Sequence, residues 1–182
     1  MCRCADSKAP KNKRRPGMSI SFEFSDTTLE RMSGKGVFLT VGEDKPNTMT
    51  IGWGSISVYW NKPVFIVPVR HSRYSYSILE KGSGFTVSVP PQDERMLRAL
   101  TVCGKNSGRD MDKYAYGWIT PVAGVAGKVP IIAGCDYYYE CRVIYSADLK
   151  LEELPPEIKA KCYPSDDAHK LYFGEILAAY KG

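Results

Sequence analysis

The chain has 182 residues, enough for one domain with a sizeable hydrophobic core and no need of disulfides or metals. Its formal charge of +5 invites a nucleic-acid reading, but Arg3, Lys8, Lys11, Lys13, Arg14 and Arg15 against Asp6 supply all of it, and residues 18–182 balance at 19 basic against 19 acidic. No apolar run is long enough to span a bilayer and no signal-peptide segment follows the basic start, so a cytoplasmic protein with no membrane and no nucleic-acid partner is expected.

Residues 1–17, MCRCADSKAPKNKRRPG, are almost devoid of apolar side chains and are expected to be a disordered basic tail or a mis-annotated start, with the folded domain at 18–182. Of six cysteines, Cys2 and Cys4 lie in that tail and Cys103, Cys135, Cys141 and Cys162 are scattered, with no C-x-x-C and only His71 and His169 to help. A zinc cluster is therefore not expected, and the four later thiols read as small buried hydrophobes or unpaired surface groups.

In chain order, Gly36–Val41 reads as a strand and residues 42–47 as a polar turn. Thr48–Tyr59, rich in β-branched and aromatic residues, reads as one long strand broken by Asn61-Lys62-Pro63, with Val64–Val69 returning as a buried hairpin partner. A short helix is predicted over Ser75–Lys81, then a strand over Phe85–Val89 stopped by Pro90-Pro91. Met96, Leu97, Leu100 and Cys103 fall at helical spacing within Gln92–Cys103, and Asp93 and Glu94 stand near the start, where the helix dipole favours them. Residues 117–134 form a covering loop. Cys135–Leu149 alternates as a long strand, with Tyr137, Tyr139, Cys141, Val143 and Tyr145 on one face. Pro155–Lys161 suits a helical turn, and Lys170–Tyr180 is the last strand. Six strands with a few short helices make a mainly β, antiparallel barrel the expected solution, because closure hides the strand edges.

Two stretches offer an anion site. Arg70-His71-Ser72-Arg73-Tyr74-Ser75 sets guanidinium groups and hydroxyls before the start of a helix. Residues 104–114 add small residues, Ser107, Arg109 and Lys113; Arg109 either faces the anion or pairs with Asp110 or Asp112. Gly52-Trp53-Gly54-Ser55 looks like part of a dinucleotide fingerprint, but it lies inside a strand with no helix following, so the glycines read instead as points of close approach for a flat ligand. Trp53 either borders that ligand or fills the core. No Ser-His-Asp set, carboxylate pair or metal cluster is evident, so the chemistry calls for a cofactor.

Together, TMTIGWGS, WNKPVFIVPVRHSRYSYSILEK, FTVSVP, SGRDMDKY and HKLYFGEI resemble the flavin reductase-like family of the FMN-binding split barrel, which includes the flavoredoxins, over roughly residues 18–181. Tyr114 stands where the family's S-G-R-D-x-D-K-F segment has Phe. The resemblance implies a Greek-key split barrel and a homodimer with FMN near the subunit interface, the covering loop with Val129, Ile131 and Ile132 lying at the dimer contact. It places Thr48, Met49, Thr50, Ile51, Gly52, Trp53, Gly54 and Ser55 along the isoalloxazine ring, and Arg70, His71, Ser72, Tyr74, Ser107 and Lys113 around the ribityl phosphate. His169 becomes the candidate catalytic residue, at the pyrimidine end of the ring or against a nicotinamide or other substrate. The implied activity is an NAD(P)H-dependent flavin reductase passing hydride to flavin N5. The alternative is a flavoredoxin-like FMN electron carrier reduced by a redox protein partner. A flavin-binding module without turnover and a barrel that binds single-stranded nucleic acid stand as further readings.

Overall fold

The computed structural model describes residues 22–182, so the tail expected at residues 1–17 lies outside the described residues. Among the described residues nine strands are present: β1 Val37–Val41, β2 Asn47–Ile51, β3 Ser55–Tyr59, β4 Lys62–Arg70, β5 Gly84–Val89, β6 Pro121–Val122, β7 Ile131–Ile132, β8 Tyr137–Asp148 and β9 His169–Lys181. Four α-helices accompany them: α1 Ser25–Gly34, α2 Tyr74–Leu79, α3 Glu94–Lys105 and α4 Pro156–Cys162, with a single 3-10 turn at Leu151–Glu153. Seven strands form one antiparallel sheet in the order β2-β1-β5-β8-β9-β4-β3, and β6 and β7 pair separately. After β4 the chain passes beyond β9 and β8 before it lays down β5, the long return of a Greek key. The architecture is the mainly β split barrel with a few short helices.

Thr48–Tyr59 is two strands rather than one. β2 pairs with β1 at one end of the strand order and β3 with β4 at the other, so residues 52–54 carry the chain across the split. At that crossing a Cβ on Gly54 would stand 2.9 Å from the Ile66 carbonyl oxygen and 3.1 Å from the Met32 sulfur, a crowding that only glycine avoids. The β3–β4 hairpin turns through Trp60 and Asn61, both at positive φ (52° and 58°), as a two-residue loop of the primed type requires. The break expected at residues 61–63 therefore falls one residue earlier, and Lys62 and Pro63 already belong to β4.

The barrel interior is filled by alternate residues of several strands: Val37, Leu39 and Val41 of β1, Phe65, Val67 and Val69 of β4, and Phe85, Val87 and Val89 of β5. Outside the sheet, α3 packs Met96, Ala99, Leu100 and Cys103 against Phe38, Ile131 and Ile132 in a second cluster, the apolar stripe that its spacing predicts. β1 is thus buried along its whole length, covered on both faces. Ile131 and Ile132, expected at a dimer contact, are consumed by the chain's own core. The covering loop is tied down by Glu140, only 1% exposed, whose carboxylate accepts the amides of Val125, Ala126 and Gly127 and the Tyr180 hydroxyl.

Two departures have plain causes. The alternation expected along β8 is broken by irregularities between Glu140 and Cys141 and between Val143 and Tyr145, so Tyr145 ends up exposed. α1 escaped the sequence reading because it buries only Thr28 and Met32, too narrow a stripe to announce a helix. Among the described residues no helix is long and apolar enough to cross a membrane.

Candidate functional site

β4 ends at Arg70 and α2 begins at Tyr74, so the chain must turn at once, and the Arg73 amide closes on the Arg70 carbonyl at 3.0 Å. α3 ends at Lys105, and a second turn follows in which the Asp110 and Met111 amides both donate to the Ser107 carbonyl. The two turns touch. Arg109 donates to the Ser72 carbonyl at 3.2 Å and Arg73 to the Gly104 carbonyl at 3.2 Å, while the Arg109 guanidinium lies 5.3 Å from the centre of the Tyr74 ring. Asn47, buried at the start of β2, joins them: its amide donates to the Ser75 hydroxyl at 2.8 Å. Its Oδ1 lies 2.0 Å from where a Cβ on Gly108 would be, so residue 108 is restricted to glycine by contact.

Between the turns lies a cavity of about 230 Å³. Its charged lining is Arg70, Arg73, Lys105, Arg109 and Lys113 against one acid, Asp167. Such a surplus of fixed cations suits a phosphate dianion. Lys113 is 3% exposed and donates to the Thr48 carbonyl at 2.7 Å and the Cys103 carbonyl at 3.3 Å, which leaves one ammonium proton uncommitted. Burial holds its pKa below the ordinary lysine value; Cys103 opposes that shift and Arg73 adds to it. Arg70 is more committed. It donates to the carbonyls of Asp167 (2.6 Å) and Cys162 (2.8 Å) and lies 4.9 Å from the centre of the Tyr163 ring. The Asp167 carboxylate accepts both the Ser72 amide (3.2 Å) and the Ser72 hydroxyl (2.6 Å). Burial would raise its pKa, but the two Ser72 hydrogen bonds and Arg70 outweigh burial and hold it below the usual carboxylate range. α2 is only six residues long, so the anion-binding character expected of a helix start comes from side-chain cations instead.

A groove of about 180 Å³ adjoins this cavity, sharing Met49, Arg70 and Arg73 with it. One side is the end of β2 and the residues after it, Thr50, Ile51, Gly52 and Trp53; Pro68 and His169 stand on the other. Trp53 is 48% exposed, with its ring 5.2 Å from the His169 ring, so it borders the groove and does not fill the core. His169 opens β9 opposite Arg70, and its Nδ1 lies 2.8 Å from the Tyr163 hydroxyl. Burial, assisted by Arg70, pushes the imidazole down to about 4, so the ring is neutral at pH 7. When the Tyr163 hydroxyl donates to Nδ1, Nε2 keeps its proton and is a hydrogen-bond donor.

Of the residues expected in the site, Met49, Thr50, Ile51, Gly52, Trp53, Arg70, Ser72, Tyr74, Ser107, Lys113 and His169 line one or both spaces. Four do not. Thr48 turns its hydroxyl to Thr40 and Tyr114, though its carbonyl holds Lys113. Gly54 and Ser55 belong to the crossing and to β3, and His71 faces Asp148 at 2.8 Å and the Tyr76 ring. Arg109, for which two roles stood open, meets Ser72 and Tyr74 and forms no ion pair with Asp110 or Asp112. Sequence reasoning missed Asn47, Tyr163 and Asp167, which carry no local motif and reach the site only through the fold, and it did not single out Lys105 within the 104–114 stretch. A larger depression of about 750 Å³ touches the cationic cavity at Tyr74, but it sets Lys45 and Lys81 against Glu43 and Asp44 and so has no charge preference.

Comparison with known proteins bears on this arrangement. Residues 29–181 match the model of the flavin reductase like domain. A flavoredoxin from Methanosarcina acetivorans is 29% identical, with 81% of this chain and 68% of that one covered at a TM-score of 0.61. An FMN-binding protein from Thermus thermophilus, solved with bound 1-cyclohex-2-enone, covers 98% of this chain and 80% of its own at 21% identity and a TM-score of 0.62. A Streptomyces globisporus NADH:FAD oxidoreductase, in complex with NAD and FAD fragments, is 22% identical over 86% of this chain and 82% of its own, with a TM-score of 0.60. The last two likenesses are of fold alone.

Proposed function

The chain belongs to the flavin reductase-like domain family, and on that premise we propose that it is an FMN-dependent oxidoreductase using NAD(P)H as electron donor. The single observation that carries the reading is the junction of a cation-lined cavity with an apolar-edged groove, spaces of about 230 and 180 Å³ that share Met49, Arg70 and Arg73. A flavin mononucleotide has that same division into a charged end and a flat ring. The fit is tested within the chain itself, because the Asp167 carboxylate already takes two Ser72 hydrogen bonds beside these cations, as an anionic oxygen would.

In this reading Arg73, Arg109, Ser107 and the free proton of Lys113 hold the phosphate. The β2 edge from Met49 to Trp53 borders the ring. A bound flavin supplies the group that accepts hydride and passes electrons on. Trp53 shields one flank of the groove from water, and neutral His169 offers a hydrogen bond without adding charge. The domain, expected at 18–182, works as a homodimer.

Anaerobic titration tests the donor: NADH or NADPH is expected to bleach the flavin absorption of the reconstituted protein, and bleaching by neither overturns the reductase assignment. The 29% identity with a flavoredoxin favours a second reading, an FMN electron carrier reduced by a protein partner. That reading predicts no bleaching by either nicotinamide and rapid reduction by a redox protein.

A further inference from the structure

We propose that the Asp167 carboxylate is a resident counter-anion that competes with the flavin phosphate for Ser72, so that FMN exchanges from this protein instead of remaining permanently bound. The competition presupposes the flavin reading above and settles a finer point, whether the flavin behaves as substrate or as fixed cofactor. Among the described residues, Asp167 is the one acid lining the cationic cavity. Its carboxylate takes both donors that Ser72 can offer, the amide at 3.2 Å and the hydroxyl at 2.6 Å, and these are donors a phosphate oxygen would use.

The backbone around Asp167 is anchored separately. Arg70 holds the carbonyls of Asp167 and Cys162, the His71 amide holds the carbonyl of Ala168, and Tyr163 reaches His169. Asp166, just before it, sits at positive φ (54°), which fixes the direction in which the chain enters. Withdrawing the carboxylate from Ser72 therefore needs only side-chain rotation, while the segment stays in place. The phosphate then gains Ser72 but keeps a negative neighbour, so the incoming charge is opposed both by lost hydrogen bonds and by repulsion. The cost falls on the phosphate alone, because Asp167 does not line the groove beside β2.

Binding of FMN, riboflavin and inorganic phosphate to the full chain and to Asp167→Asn tests this, read by flavin fluorescence and calorimetry. The variant is expected to hold FMN and inorganic phosphate about tenfold more tightly, with a slower release of FMN, and riboflavin within about twofold of the parent. Unchanged or weaker FMN binding overturns the proposal, as does an equal gain for riboflavin. If parent and variant bind neither flavin, the functional reading fails and FMN exchange fails with it. The inorganic phosphate arm then still decides the counter-anion role, a tighter complex in the variant supporting it and an unchanged one overturning it. Asp167→Ser provides the same comparison should Asn disturb the segment's folding.

Discussion

The two ends of the site are built by different means. The cationic cavity is made mainly from turns: Arg70–Ser75 and residues 104–114 cross-tie through Arg109, Arg73 and Asn47, and apart from Arg70, which ends β4 opposite His169, and Lys105, which ends α3, its cations stand in loops outside the strand ladders. The ring groove is made from strand edges, with β2 on one side and the paired starts and ends of β4 and β9 on the other. Turns can place several charges within a few ångströms of one another, whereas strands hold a flat wall at fixed spacing. One end should therefore decide affinity through charge and the other through shape and stacking.

Removing the buried ammonium should have the largest effect and should fall on one end only. Lys113→Met is expected to weaken FMN about 100-fold, the worth of a charge-assisted hydrogen bond lost from a half-enclosed site, and riboflavin by no more than about threefold. Equal losses for both ligands, measured by fluorescence titration, would show that Lys113 props the β2 wall through the Thr48 carbonyl rather than holding phosphate.

His169 gives the next effect, and it is one of stability. Its folded pKa of about 4 lies below the ordinary 6.5, so the neutral ring is the form the fold favours; stability is full above pH 6.5 and is lost as pH falls toward 4. Between pH 7 and 4.5 the loss amounts to about 2.5 kcal/mol. The charged and titratable groups around the ring are Arg70, Asp167, Arg73, His71 and Tyr163. Carboxylates held low, such as Glu140, Glu175 and Asp167, surrender their contribution below their own ordinary values of 4.5 or 3.8, outside most of this window. Urea melts of His169→Gln should be nearly flat over that range; a slope as steep as the parent's would locate the acid sensitivity elsewhere.

Truncation at the other wall should be indifferent to charge. Trp53→Ala is expected to weaken FMN and riboflavin alike by about tenfold, since a ring bordered by an exposed indole loses stacking and gains water. A loss confined to FMN would mean that the ring lies away from Trp53.

Legibility followed the same division. The cations of the turns stood in contiguous runs with their hydroxyls and glycines, which made both stretches candidates, and the family resemblance then singled out Arg70, Ser72, Ser107 and Lys113. The strands were legible as a class because alternation marks them, yet the split within Thr48–Tyr59 was not, since nothing local says that the two halves pair at opposite ends of the sheet. Gly174 of HKLYFGEI has a structural part, since a Cβ there would meet the Phe85 ring at 2.5 Å and the Cys141 Cβ at 2.7 Å. This glycine serves the barrel interior. Asp167 and Tyr163 were unreadable because each acts on a partner more than 90 residues distant.

The smallest expected effect separates the two ends without any mutation. Raising ionic strength from about 0.05 to 0.5 M shortens the Debye length from more than 10 Å to less than 5 Å, which screens the partly open cationic cavity and leaves stacking in the groove untouched. FMN affinity should fall about threefold while riboflavin affinity holds steady. The modest size follows from burial, because Lys113 at 3% exposure is shielded from mobile ions by protein, while Arg73, Lys105 and Arg109 stand out in solvent. A fall of a hundredfold would mean that these outer cations, and not Lys113, dominate the hold on phosphate. A matching fall for riboflavin would mean that salt acts on the fold rather than on the charge, and the contrast between turn-built and strand-built ends would lose its basis.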